Sequence, residues 1–172
     1  MKWGAFAVAL LLAGVVGWRV TGSPSEAAPP TTAVDRIFVD KSDHRMIVFS
    51  GGRAVRQFQV ALGRGGLAPK TRQGDGRVPE GNYRITGLNP NSAFYRSLRI
   101  GYPTRAQTAD ARRRGIDPGN DIMIHGLPNG RGALGKRHRL VDWTQGCIAV
   151  TNEEMDWLWA AVAVGTPIEI VQ

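Results

Sequence analysis

The chain reads as a mainly β protein of the α+β class that carries two short helices. Three observations predict this. Short runs of alternating apolar and polar residues, bounded by Gly, Asn, Asp and Ser, recur from position 34 onward. Two isolated segments carry helix N-caps. No internal repeat organises the rest.

The elements follow in order. Met1-Lys2 is a short positive start, and Trp3 to Val16 is almost wholly apolar. That run is shorter than the roughly 20 apolar residues a membrane span needs, and it has the build of a signal-peptide core. Residues 1–21 therefore read as a signal peptide or, because no clean Ala-x-Ala site follows, an uncleaved N-terminal anchor. Residues 22–33 are small, polar and Pro-rich, and read as a linker. Residues 34–172 remain as one domain, long enough to bury a core. This start predicts export to the periplasm or cell envelope.

Arg36–Asp40, Met46–Phe49 and Val55–Val60 alternate as strands, and the Ser42-Asp43-His44 and Ser50-Gly51-Gly52 turns join them into a meander. Gly63 to Arg77 is a Gly-rich basic loop, and Tyr83–Thr86 is the next strand. Asn89-Pro90-Asn91-Ser92 reads as a turn before a strand over Phe94–Ile100.

The first helix opens at Thr104 with Gln107 three residues on, and ends in Arg112-Arg113-Arg114-Gly115. The second opens on the Thr151-x-x-Glu154 capping box. It places Met155, Leu158, Trp159 and Val162 on one apolar stripe and stops at Gly165. Thr166–Val171 alternates as a closing strand.

The formal net charge is +8, and without Lys2, Arg19 and Glu26 the rest of the chain holds 20 basic and 13 acidic side chains. The surplus suits an anionic polymer. Its basic residues are scattered, with no aromatic-basic stacking motif or recognition helix, so no nucleic-acid partner is expected. One cysteine and three scattered histidines show no metal-ligand spacing, so no metal is expected. His138 reads as exposed in a basic loop, and His44 lies in a turn far along the sequence from Cys147.

Chemistry concentrates between Ile122 and Val150. An apolar strand ends at His125-Gly126, and Cys147 follows in Thr144-Gln145-Gly146-Cys147-Ile148. An unpartnered thiol in an exported protein needs a reason. It is either a small buried hydrophobe or a nucleophile served by an imidazole that accepts its proton or lowers its pKa. Gly146 permits close approach of a ligand, so the amides of Gln145, Gly146 and Cys147 are candidate donors to an oxyanion.

These paired motifs resemble the L,D-transpeptidase (YkuD-type) catalytic domains. The likeness extends to Gly74-Asp75-Gly76-Arg77-Val78-Pro79-Glu80-Gly81-Asn82-Tyr83 and to the opening meander, and it covers about Arg36 to Val171. It implies a β-rich, sandwich-like fold and acyl transfer on the stem peptides of peptidoglycan through a thioester. Cys147 would be the nucleophile attacking the carbonyl of a meso-diaminopimelate residue and expelling the terminal D-alanine. His125 would be the base, with its ring oriented by the Gly126 carbonyl. The amides around Gln145, Gly146 and Cys147 would hold the oxyanion, and no metal or organic cofactor would be required.

The sequence departs from the family pattern twice. Gln145 stands where most members have histidine, and Ala149 where many have arginine two residues after the nucleophile. Arg131 and Arg139 of the intervening loop are the expected replacements as carboxylate partners, and Thr144 completes the candidate binding residues. A wall-attached protein, as acceptor or leaving group, is a second expected partner, and the domain is expected to be a monomer. Two other readings stay open: a carboxypeptidase or amidase that hydrolyses the same bonds, and a non-catalytic peptidoglycan-binding module. Rapid alkylation of Cys147 at mildly acidic pH is expected of the enzyme, and slow labelling of the module.

Overall fold

The computed structural model describes residues 33–172. The leader read at 1–21, and the linker read at 22–33 apart from Ala33, lie outside the described residues. Alternation fixes the first strands. β1 (Arg36–Asp40) and β2 (Arg45–Ser50) bury every second side chain, so Ile37, Val39, Met46 and Val48 are fully enclosed. They pair antiparallel with Ile37 opposite Val48 and Val39 opposite Met46, and β3 (Arg53–Gln59) adds to β2 through a bulge at Val48/Phe49.

The remaining strands are β4 (Gly81–Ser92), β5 (Tyr95–Ile100), β6 (Met123–His125), β7 (Ile148–Ala149) and β8 (Pro167–Val171). They form one sheet in the order β3-β2-β1-β8-β4-β5-β6-β7. The closing strand β8 enters the middle, parallel to β1 and antiparallel to β4. Past β3 the chain runs to the opposite end of the sheet. There Ala61 and Ala149 exchange backbone hydrogen bonds of 3.0 and 2.8 Å, and Gly63 bridges Thr144. The mainly β class read from the sequence is thus realised as a curled sheet whose two ends meet.

Both capping boxes form. In α1 (Arg105–Arg113) the Gln107 amide donates to Thr104 Oγ1 at 3.2 Å, and the Thr104 amide to Gln107 Oε1 at 2.8 Å. In α2 (Asn152–Ala161) Thr151 and Glu154 do the same at 3.3 and 3.0 Å. Helix α2 buries Met155 and Leu158, and Val162 beyond its last turn, against the sheet. Its buried indole is Trp157, packed edge-on to Phe58 at 5.6 Å. Trp159 instead lies partly buried under the Arg96 guanidinium.

The structure corrects four local expectations. Asn89–Ser92 continues β4, and the reversal falls at Ala93-Phe94. Helix α2 ends at Ala161, because Val162 turns to an extended conformation well before Gly165. Gly132–Leu140, expected as loop, forms 3-10 turns broken at Gly135. His138 within it is buried, with only 6% of its surface exposed, because Trp143 packs across it.

The loop between Gly63 and Gly81 is fixed by charges that are themselves enclosed. Lys41 at the end of β1 is 1% exposed; it pairs with Glu80 at 2.7 Å and donates to the Leu67 carbonyl. Lys70 and Asp75 pair at 2.9 Å with 4% and 7% of their side chains exposed. Burial alone would push the Asp75 carboxyl up, but the amides of Arg72 and Thr71, the Lys70 ammonium and the Arg77 amide together bring it down to about 2. A carboxyl held below its unfolded value stabilises the fold above about pH 4, and that contribution is lost as pH falls toward 2. Asp75→Asn should therefore cost about 1–2 kcal/mol in denaturant unfolding at pH 7. The difference from the native protein should shrink as the measurement is repeated down to pH 2–3.

Candidate active site

Two short strands bring the chemistry together. β6 and β7 are parallel, with Ile124 opposite Ile148 and His125 opposite Ala149, and both isoleucines are fully buried. Cys147 immediately precedes β7 and so stands level with Met123, on the face that Met123 shares with His125. His125 and Cys147 accordingly line one cavity of about 620 Å³, together with Phe94, Trp143, Thr144 and Gln145.

The tautomer of His125 follows from its partner. Nδ1 lies 2.7 Å from the Gly126 carbonyl oxygen, which can only accept, so Nδ1 carries the proton. In the neutral ring the lone pair is then on Nε2. Glycine suits position 126, because a Cβ would meet Asn152 Oδ1 at 2.8 Å, Tyr95 Cβ at 3.0 Å and the Phe94 carbonyl oxygen at 3.2 Å. That same Oδ1 accepts the Leu127 amide at 2.9 Å and fixes the turn after β6. The ring itself is held between Phe94, 4.5 Å away by ring centroids, and Trp143 at 5.6 Å.

Thr144 organises the nucleophile loop. Its hydroxyl donates to the Cys147 carbonyl at 2.8 Å and accepts the Gly146 amide at 3.1 Å. The Gly146 amide, one of three expected oxyanion donors, is therefore already engaged. The amides of Gln145 and Cys147 keep no partner among the described residues. Gly146 adopts φ +122°, and a Cβ there would approach the Arg77 carbonyl oxygen to 2.7 Å. Thr144 is 3% exposed, while Gln145 faces outward.

Enclosure favours the neutral forms of both the thiol and the imidazole. Burial pushes the Cys147 thiol up, the Met123 amide partly offsets this, and the nearby Asp121 charge raises it further. Cys147 Sγ donates to the Asp121 carbonyl across 3.6 Å. Burial lowers the His125 imidazole, against the Gly126 carbonyl, which raises it. Of the two roles open to His125, enclosure therefore favours acceptance of the thiol proton over a standing ion pair, because it penalises both charges.

Two further side chains brace the cavity wall. Asp142 accepts the Leu62 amide at 2.7 Å and pairs with His44 at 2.9 Å, so His44, remote in sequence, lies beside the nucleophile loop. The Trp143 indole donates to His138 Nδ1 across a long 3.5 Å. Burial, and then the Arg139 charge, push the His138 imidazole down to about 4, so it remains an acceptor at neutral pH. Among the described residues no three His, Cys, Asp or Glu side chains gather to hold a metal ion.

Comparison with known proteins bears on this arrangement. Residues 34–170 match the YkuD L,D-transpeptidase catalytic domain. The chain belongs to the YkuD family. It is 33% identical over 108 residues to YafK of Escherichia coli K12, whose L,D-transpeptidase name is itself provisional. That match covers 61% of this chain and 36% of YafK, so the chain spans about a third of the length of this curated relative. Among solved structures, the helical cell shape determining protein Pgp2 of Campylobacter jejuni aligns over 83% of this chain and 49% of its own, with a TM-score of 0.62 and 20% identity. An L,D-transpeptidase of Mycobacterium smegmatis aligns over 80% and 58%, with a TM-score of 0.53 and 15% identity. At these identities the likeness is one of fold.

Within this YkuD domain the expected carboxylate-binding arginines are not at the cavity. Arg139 is paired with Glu154, the capping-box residue of α2, with 17% of its side chain exposed. Arg131 is exposed ahead of the 3-10 turns and does not line the cavity. Ala149 is fully buried and paired through its backbone to Ala61 on one side and level with His125 on the other, in the seam that closes the sheet. The sequence reading missed Arg99 and Asp121, which pair at 2.7 Å, Asp121 at the cavity itself. Only the strand register could have found Arg99, which stands opposite Met123.

Because the thiol is enclosed and raised, slow labelling no longer separates the enzyme from a binding module, and it is the pH dependence that reports on the site. Alkylation of Cys147 by iodoacetamide should be slower than that of free cysteine at pH 6–7. It should rise with pH through a midpoint above the ordinary thiol value. A rate plateau already reached at pH 6 would indicate a resting thiolate and contradict the site as described.

Proposed function

We propose that the domain performs cysteine-dependent acyl transfer on peptidoglycan stem peptides. The observation that carries this reading is His125, pinned through Nδ1 to Gly126, with its free Nε2 in the cavity that also holds the Cys147 thiol. On substrate binding, Nε2 takes the thiol proton as Sγ attacks the carbonyl of the diaminopimelate residue. The Gln145 and Cys147 amides receive the developing oxyanion. The imidazolium returns its proton to the departing amine of the terminal D-alanine as the C–N bond breaks, which leaves a thioester. An incoming amine, deprotonated by His125, then forms the new amide, and the C–S bond breaks to restore the thiol.

A neutral resting pair suits this sequence. A buried neutral imidazole is a competent base at neutral pH, and the thiol is protected until a carbonyl is in place. The apolar start of the chain and the location of the polymer together support an envelope site of action. Water in place of the amine would give hydrolysis of the same bond, and a wall-attached protein could serve as acceptor or leaving group. Neither needs a change in residues.

Cys147→Ala and His125→Ala should each abolish turnover of tetrapeptide-bearing peptidoglycan, measured by mass spectrometry of the muropeptides. Gln145→His should keep activity within about an order of magnitude, since Gln145 faces outward and contributes its amide. New 3→3 cross-links or exchanged terminal D-alanine establish transfer, and shortened stems make the domain a hydrolase. Full activity in Cys147→Ala would refute the mechanism.

A further inference from the structure

A second, smaller hollow of about 170 Å³ adjoins the catalytic cavity; Asn89 and Met123 line both. Three features mark it. Arg99 lines it and pairs with Asp121, which lines the main cavity, so a cation and an anion stand side by side where the two spaces join. Ser97, also on its wall, is 1% exposed, and its buried hydroxyl has no hydrogen-bond partner. A buried hydroxyl left unpaired costs free energy, so this one is a contact short of satisfaction. Asp121 takes a left-handed conformation (φ +56°) that presents its carbonyl to Cys147 Sγ, 3.6 Å away, and its carboxylate to Arg99.

The register sets the spacing. Arg99 stands opposite Met123 and Ser97 opposite His125, and Cys147 is level with Met123 one strand further on. Two strand spacings, about 10 Å, therefore separate the backbone of Arg99 from that of the nucleophile. That is the span of a diamino acid side chain together with an arginine's reach. The charges also match. The chain carries +8, yet the cavity and hollow are lined by one permanent cation and one anion besides His125 and the thiol. Such a site suits a zwitterion better than a net anion. The Arg99–Asp121 pair is more than half exposed, so its own attraction is weak and exchanging it for two new ion pairs costs little.

Resting on the acyl-transfer reading above, we propose that this hollow is the subsite for the free zwitterionic end of the acyl donor's diamino acid. Arg99 takes its carboxylate, Asp121 its ammonium, and Ser97 completes the contact, while the carbonyl under attack lies at Cys147. Arg99, Asp121 and Ser97 thereby determine specificity. They take the carboxylate-binding role that the departure at Ala149 left to Arg131 or Arg139.

The test is isothermal titration calorimetry on the full chain carrying Cys147→Ala, which separates binding from turnover. The probes are a stem tetrapeptide with diaminopimelate, the same peptide amidated at the side-chain carboxyl, and one with lysine in its place. The diaminopimelate peptide should bind about tenfold or more tightly than either of the others. Adding Arg99→Ala should weaken it to the level of the amidated peptide and erase the difference between the two, and Arg99→Lys should restore part of that difference. Undiminished discrimination in an Arg99→Ala protein of native thermal stability would overturn the proposal. Failure of the two readings is distinguishable. Discrimination by the Cys147→Ala protein, with no turnover by the unaltered chain, supports the subsite and defeats the reaction. Turnover of all three peptides with equal kcat/KM supports the reaction and defeats the subsite.

Discussion

The seam at Ala149 carries the site. On one side Ala149 exchanges two backbone hydrogen bonds with Ala61, and on the other it stands level with His125, whose carbonyl accepts the Val150 amide at 3.0 Å. A strand of two residues has little stability of its own, and this one is held because both edges are paired and Ile148, Ala149 and Val150 are all buried. Everything that precedes it inherits its position. Cys147 emerges from the seam on the face of His125, and Thr144, tied to the Cys147 carbonyl, closes the loop above it.

A second layer of constraint comes from enclosed charges. Lys41 with Glu80, and Lys70 with Asp75, fix the Gly63–Gly81 loop, and the Arg77 carbonyl of that loop packs against Gly146. The cost of burying these ions is offset by the many backbone groups they satisfy, four of them at Asp75 and Lys70 alone. The nucleophile loop is thus supported from two directions: by the sheet below and by a charge-pinned loop beside it. Rigid support of this kind lets a site keep a neutral thiol and a neutral imidazole in register until substrate arrives.

Local chemistry was legible in the sequence, and long-range partnership was not. Both capping boxes are read within four residues, and they form as written at Thr104 and Thr151. The Cys147 and His125 motifs likewise sit at a strand start and a strand end of one cavity. Asn89-Pro90-Asn91-Ser92 has turn composition and so reads as the reversal before Phe94, yet pairing with β5 keeps it in β4 and moves the reversal to Ala93-Phe94. Trp157 and Trp159 lie close together on α2, and only the packing of Phe58 decides which is buried. His138 and His44 were judged by their neighbours in sequence, whereas Trp143 and Asp142 determine their surroundings. The proximity of a base in the sequence leaves two roles open for His125, proton acceptor or ion-pair partner, and burial of both groups, which the sequence does not express, favours the first.

The central claim is that Cys147 forms a covalent thioester with the acyl donor through His125. Intact-protein mass spectrometry of the full chain, quenched in acid within seconds of mixing with a stem tetrapeptide, addresses it most directly. The account predicts a mass increase equal to that of the peptide less free D-alanine, which carries away the thiol hydrogen, located at Cys147 and absent from His125→Ala. Product formed with no adduct at any time, or an adduct elsewhere on the chain, would contradict it.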